Sequence, residues 1–206
     1  MVSGRFSATP VLRYADRVDE ELDIEICPLV PSRAAEFLQF LGEDAFADHP
    51  RWAGCYCVFP HAEHAAGKFN VESRDANRAA AAAMVAQGTM RGYFAYVEGR
   101  AVAWCNANLL SSYTIFDAED SDPAKTGAIG CFVVVDRLRG KGIAKRLLEA
   151  ALEGFRAEGV TEVVAFPRPD ADSAADNHLG PLSLYLGAGF EEAGTVGRSV
   201  KVRKRL

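Results

Sequence analysis

Apolar positions along the chain change their period several times, and each change marks an element. Asp23-Ile-Glu-Ile-Cys27 alternates as a half-buried strand does. Pro31-Ser32 then opens a segment in which Ala35, Phe37, Leu38 and Leu41 recur at helical spacing, running out near Gly42 or at the latest near His49-Pro50. From Trp52 to Lys68 neither template fits, which predicts a loop with room for one short strand. Ser73 to Gln87 is alanine-rich and closed by Gly88, the pattern of a helix. Two strand-like runs between Tyr93 and Asn106 flank Glu98-Gly99 and predict a β-hairpin. Residues 111–126 read as a polar, acidic loop. A strand is expected over 128–135 and a helix over 141–158, ended by Gly159. In that helix Ile143, Ala144, Leu147, Leu148, Ala151, Leu152 and Phe155 share one face. Lys145, Arg146, Glu149, Glu153 and Arg156 share the other. Val160 to Phe166 reads as a strand and Pro167 to Asn177 as an acidic loop. Gly180-Pro181 opens a short helix, with proline at the first helical position, and Gly187 and Gly189 stop it. The last runs, 190–196 and 198–205, pair through Gly197.

This order holds one strand–helix–strand crossover, which must be right-handed and join parallel strands. The class is therefore α/β, a mixed sheet flanked by helices. With 206 residues the chain forms one domain over 23–206, preceded over 1–22 by a polar extension with no readable period. A net charge of −5 argues against general nucleic-acid affinity. The basic end from Lys201 to Leu206 reads as a solvated strand. No apolar run approaches the roughly 20 residues that a bilayer needs, and no segment reads as a signal peptide. With five cysteines, an odd number, a reducing cytoplasm without disulfides is the expectation, with no membrane partner.

Candidate chemistry centres on Arg137-Leu-Arg-Gly-Lys-Gly-Ile-Ala144, between the apolar run Ile129–Val135 and the amphipathic helix. Glycines let backbone approach a ligand closely. Unpaired amides at a helix start, at the positive end of its dipole, favour phosphate. Arg137, Arg139 and Lys141 add charge. The alternative is a tight connection that holds no ligand. A nucleotide P-loop fits worse, because the GKS or GKT ending is missing.

The run Val133–Ala144 is similar to the acetyl-coenzyme A motif of the GNAT-superfamily N-acetyltransferases, [QR]-x-x-G-x-[GA] after a strand, with Arg137, Gly140 and Gly142 at the defining places. Leu184-Tyr-Leu-Gly-Ala-Gly-Phe190 resembles the Tyr-x-x-x-Gly-Phe ending of that family's fourth helix. The resemblance implies a mixed, mostly antiparallel central sheet of about six or seven strands flanked by about four helices. It implies transfer of acetyl from acetyl-CoA to a primary amine of a small molecule or protein, by direct attack in a ternary complex. It implies that the backbone at Phe132, Val133 and Val134 holds the pantetheine arm and thioester carbonyl. The amides from Arg139 through Gly140, Lys141, Gly142, Ile143 and Ala144 would take the pyrophosphate. Tyr185 matches the tyrosine that protonates the leaving thiolate, its alternative being to pack beneath the last hairpin. His178 stands where many members carry a cofactor-touching Asn; it would replace that Asn, act as base, or have no duty. No other base is legible: Glu98 sits at a hairpin tip, and Asp117, Glu119, Asp120 and Asp122 lie in a loop where solvation is the plain reading. A water relay remains open. A monomer or homodimer is implied. The competing reading is an acyl-CoA-binding sensor or scaffold of the same fold, without turnover.

The family places acceptor-binding residues between its first two helices. On that ground Trp52, Tyr56 and Phe59 would line the acceptor pocket, with Asn106 and Trp104 sharing the wall or, for Trp104, joining the core. Cys55, Cys57, His61 and His64 would make a tetrahedral zinc set, but Cys-x-Cys is tighter than the usual spacing and no second half-site follows, so no metal is expected. Asp170, Asp172 and Asp176 hint at a cationic acceptor, against the plainer reading of a solvated loop.

Overall fold

The computed structural model describes residues 22–63, 69–116, 120–171, 173 and 176–206. The N-terminal extension, apart from Leu22, lies outside the described residues, as do His64, Asp117, Glu119 and Asp172.

Seven strands form one sheet in the order β1-β2-β3-β4-β5-β7-β6. They are β1 Ile24–Pro28, β2 Gly92–Val97, β3 Arg100–Leu109, β4 Thr126–Val134, β5 Glu162–Ala165, β6 Glu191–Val196 and β7 Ser199–Arg205. Only β4 and β5 run parallel, and every other neighbouring pair is antiparallel. The expected mixed, mostly antiparallel sheet is therefore present, with α1 Ala34–Gln39, α2 Arg74–Ala86, α3 Ile143–Ala157 and α4 Leu182–Gly187.

Local signals explain most of these elements. Glu98 and Gly99 both have positive φ, 51° and 71°, so the turn twists with its strands and closes the β2–β3 hairpin. Helix α3 buries Ile143, Leu147, Leu148, Ala151, Leu152 and Phe155, the face that its periodicity marks. Helix α1 is shorter than its pattern, and the chain continues from Phe40 to Asp44 as a wide π-type turn. The short strand allowed between Trp52 and Lys68 is not formed among the described residues; two 3-10 turns, Pro50–Gly54 and Phe59–His61, stand there. Pro181 caps α4 in extended conformation rather than occupying its first turn. Among the described residues no helix is long and apolar enough to cross a membrane.

Helices cover both faces of the sheet. Phe94 and Trp104 are cross-strand partners and pack edge-on against Phe37 of α1, at 6.2 and 5.0 Å between ring centroids. Tyr93 points to the other face, where its hydroxyl reaches Gly154 of α3. A smaller apolar cluster of Leu110, Tyr113, Ala128, Val164, Phe166 and Leu179 sits beyond the main core.

The feature that positions the site is a break in pairing. Asn106 pairs with Cys131 and Ala107 with Ile129, so Gly130 is an extra residue and β4 bulges there. Strands β4 and β5 pair only over Thr126–Ala128 and Glu162–Val164. Beyond Ala128 the two strands part and leave a cleft.

Candidate functional site

The cleft opens into a cavity of about 500 Å³. Gly130, Cys131, Phe132, Val133 and Val134 of β4 form one side, with Arg139 at the end. Trp52, Phe59, Pro60, Phe69 and Val71 bring an aromatic and apolar wall from the segment between α1 and α2. Arg168 and His178, from the segments around β5 and α4, complete the rim. The β4 residues expected to hold a donor and two of the expected acceptor residues, Trp52 and Phe59, therefore share one space.

Tyr56 and Asn106, expected on the same wall, have another place. Tyr56 is buried with its hydroxyl against Gly42, where a β-carbon would come within 2.6 Å, and Arg74 lies over its ring at 5.6 Å. Asn106 is wholly buried. Its Oδ1 accepts from the Tyr113 hydroxyl at 2.8 Å, and its Nδ2 donates to Cys57 Sγ at 3.2 Å and to His61 Nε2 at 3.0 Å. Trp104 also enters the core and donates Nε1–H to Cys57 Sγ at 3.3 Å.

This polar knot lies directly behind the cavity. Cys131, Asn106 and Trp104 all donate toward Cys57, and together they hold its thiol below the ordinary range despite burial. That same donation to Cys57, and burial after it, push Cys131 up. Burial lowers His61, whose Nδ1 stands 2.7 Å from the Ser112 carbonyl and whose Nε2 accepts from Asn106, so the neutral Nδ1–H ring fits. Sequence reasoning missed Tyr113, which stacks on His61 at 4.8 Å. One sign was available: a glycine inside a strand marks a bulge or a close approach, and a β-carbon at Gly130 would meet the Tyr113 ring at 2.6 Å. Among the described residues no group of three or more His, Cys, Asp or Glu side chains is placed to hold a metal.

The glycine loop lies at the open end of the cleft. Gly140 and Gly142 have φ of 76° and 79°, and a β-carbon on either would meet nothing within 4 Å. Backbone conformation, not crowding, selects glycine here. The helical ladder begins at Arg146 N–H, which donates to the Gly142 carbonyl. The amides from Gly140 to Lys145 therefore have no protein acceptor among the described residues. Lys141 is exposed beside them, while Ile143, the first residue of α3, is buried in the core.

Arg139 does not point its charge at those amides. It pairs with Asp48 at 2.5 Å and donates Nε–H to the Val134 carbonyl at 3.1 Å. The guanidinium in turn holds the Asp48 carboxyl below the usual range. Arg139 thus ties the segment after α1 to the end of β4.

Tyr185 is completely buried, 6.5 Å from the Phe132 ring by centroids, and gives its proton to the Leu179 carbonyl at 2.5 Å. Burial raises its pKa well above the usual phenol value. Gly180, at φ 85°, makes room, since a β-carbon there would lie 3.1 Å from both Phe132 and the Tyr185 hydroxyl. His178 stands on the cavity rim, edge-on to Phe59 at 6.1 Å. Asp170 turns away from the cavity to Arg198 at 2.6 Å, so it gives no support to a cationic acceptor. Asp120 and Asp122 lie on the far loop, with Asp122 paired to Lys125 at 3.2 Å.

A bulged strand that parts from its parallel neighbour, followed by a glycine loop with free amides, defines a mixed sheet with one cleft and an anion-accepting turn at its mouth. A family model for the GNAT acetyltransferases matches residues 59–179, more than half of the 206-residue chain. The chain belongs to the GNAT acetyltransferase family. No curated protein sequence matches it. Among solved structures it is similar to the PaiA N-acetyltransferase of Thermoplasma acidophilum in complex with coenzyme A, at 14% identity and TM-score 0.55, over 90% of this chain and 100% of that one. It is similar also to the aminoglycoside acetyltransferase AAC(6')-Ib, solved with coenzyme A and with coenzyme A plus kanamycin, at 17% identity and TM-score 0.57, over 89% of this chain and 95% of that one. An N-acetyltransferase of Staphylococcus aureus Mu50 aligns at 16% identity and TM-score 0.51, over 89% and 98%. At these identities the likeness is one of fold.

Proposed function

We propose that the protein transfers acetyl from acetyl-CoA to a primary amine of a small molecule or protein, with both bound at once. The observation that carries this reading is the run of acceptor-less amides from Gly140 to Lys145 at the mouth of the β4–β5 cleft. These amides and Lys141 suit the donor's pyrophosphate. The free edge of β4 from Phe132 to Val134 suits the peptide-like pantetheine arm, with Arg139 competing for the Val134 carbonyl. Complexes of two similar structures with coenzyme A support the donor.

In the transfer the amine nitrogen bonds to the thioester carbonyl carbon and the carbon–sulfur bond breaks. The amine then loses a proton to water, and the thiolate takes one up. Tyr185 is the group assigned to the thiolate. Its raised pKa leaves it a poor acid against a thiol near 8.5, and its hydroxyl is buried on the Leu179 carbonyl outside the cavity lining, so in this role the hydroxyl must turn from Leu179 to donate a hydrogen bond to the developing charge. His178, on the rim, is the candidate for relaying the amine proton through water.

Calorimetric titration of coenzyme A, followed by thiol release from acetyl-CoA with a panel of amines, tests the reading. Micromolar binding with amine-dependent thiol release is the expected result. Tight binding with no release from any amine would favour a sensor of the same fold. Absence of binding would remove the proposal altogether.

A further inference from the structure

Cys55, Cys57 and Cys131 line the cavity, and the transfer chemistry uses none of their thiols. Cys57 is held in a costly backbone: it and Tyr56 have φ of 58° and 46°, the left-handed region that residues with a β-carbon rarely adopt. There its sulfur faces β3, where Trp104 Nε1–H donates to it at 3.3 Å and Asn106 Nδ2–H at 3.2 Å. Asn106 and Cys131 are direct cross-strand partners, so their side chains leave the same face of the sheet. The Cys131 thiol is the third donor toward Cys57. Cys105 does not compete, because it pairs with Tyr93 and shares its α3 face. Donors gathered on one sulfur favour its thiolate, which is the form that reacts.

We propose that Cys57 and Cys131 form a peroxide-responsive dithiol site in the cavity wall, closing to a reversible disulfide. Hydrogen peroxide is the co-reactant, and the cavity of about 500 Å³ admits so small a molecule. The Cys57 thiolate attacks one peroxide oxygen. The S–O bond forms, the O–O bond breaks, and hydroxide leaves and is protonated to water. Cys57 is then a sulfenic acid. The Cys131 sulfur attacks Cys57 Sγ, the S–O bond breaks, and the departing hydroxide takes the Cys131 proton and leaves as water. The two thiols have lost two electrons and two hydrogens, and one peroxide has become two waters. A thiol reductant reverses the change by exchange. The disulfide joins the segment that carries Trp52 and Phe59 to β4, so it fixes the two sides of the cavity to each other. The site stands apart from acetyl transfer, and its test needs neither donor nor acceptor.

The experiment treats the full chain, reduced and then freed of reductant, with stoichiometric hydrogen peroxide. Timed samples are denatured, alkylated with iodoacetamide, and read by intact mass and peptide mapping. The expected product has lost two hydrogens, recovers them with dithiothreitol, and maps to a Cys57–Cys131 bond. It should form about tenfold or more faster than Cys27 is oxidised, the thiol of the edge strand β1 serving as internal control. Cys131→Ser should leave Cys57 as a sulfenic acid that dimedone labels, and Cys57→Ser should leave Cys131 unlabelled. Equal rates at Cys27 and Cys57 overturn the inference. So does a bond mapped to Cys55 or Cys105, or dimedone labelling of Cys131 in Cys57→Ser. If Cys57→Ser does not fold, the wild-type map and the labelling of Cys131→Ser decide alone.

Discussion

Asn106 shows how one residue sets the chemistry behind the cavity. Its two Nδ2 hydrogens go to Cys57 and His61 and its Oδ1 takes the Tyr113 proton, so no polar atom of the knot is left without a partner. The ring of His61 is held neutral because burial penalises the imidazolium. Its folded pKa therefore lies below its unfolded value near 6.5, and the unfolded chain takes up the proton first as pH falls. Stability present above about pH 6.5 should be lost on acidification toward pH 5, ahead of the carboxylates. Melting curves across that window check it, and the slope should flatten in His61→Gln. Tyr185 makes a second case at this scale. Tyr185→Phe removes only the hydroxyl, so turnover should fall about 10–100-fold, the range of a single positioned proton donor or hydrogen bond. Coenzyme A affinity should stay within about twofold on this account, because the pyrophosphate amides are untouched. Unchanged turnover would make the residue a packing group under the last hairpin.

Among the elements, the β4–α3 connection is the most exacting. Gly142 is the N-cap of α3 at φ 79° and ψ 1°, a conformation that costs a β-branched residue about 1–3 kcal/mol. Since a β-carbon there meets nothing, Gly142→Val should leave the fold intact and displace the amides instead. The expected outcome is a fall in coenzyme A affinity of tenfold or more with circular dichroism unchanged, checked by calorimetry. The Arg139–Asp48 pair is an exposed ion pair and adds about 0–1 kcal/mol at most. Its consequence is geometric: it sets the angle at which the segment after α1 meets the glycine loop.

Across the whole molecule, α3 covers one half of the sheet, from β1 to β4. It packs on β1, β2, β3 and β4, and Phe155 lies against Gly127 at the parallel β4–β5 junction, where a β-carbon would meet the ring at 2.9 Å. Phe155→Ala opens a cavity at that junction and should cost about 3–5 kcal/mol. Chemical denaturation measures it; a loss below about 1 kcal/mol would mean that the parallel pair stands without the helix. The cleft depends on this junction too, because the splay of β4 from β5 starts immediately beyond it.

What the sequence determined by itself was local. The face of α3, the Glu98-Gly99 hairpin and the glycine loop follow from periodicity and from backbone that only glycine adopts readily, and each acts within a few neighbours. The family resemblance added a mostly antiparallel sheet of six or seven strands; the order of those strands came from the structure. The tertiary structure alone decided the placing of distant partners. Asp48 reaches Arg139 across 91 residues, and Asn106 meets Cys57 and His61 across 49 and 45. Those contacts turn Asn106 inward and take the charge of Arg139 away from the free amides, while the cavity keeps an aromatic wall of Trp52, Phe59 and Phe69. No period along the chain encodes them, because they arise where separate elements pack against one bulged strand.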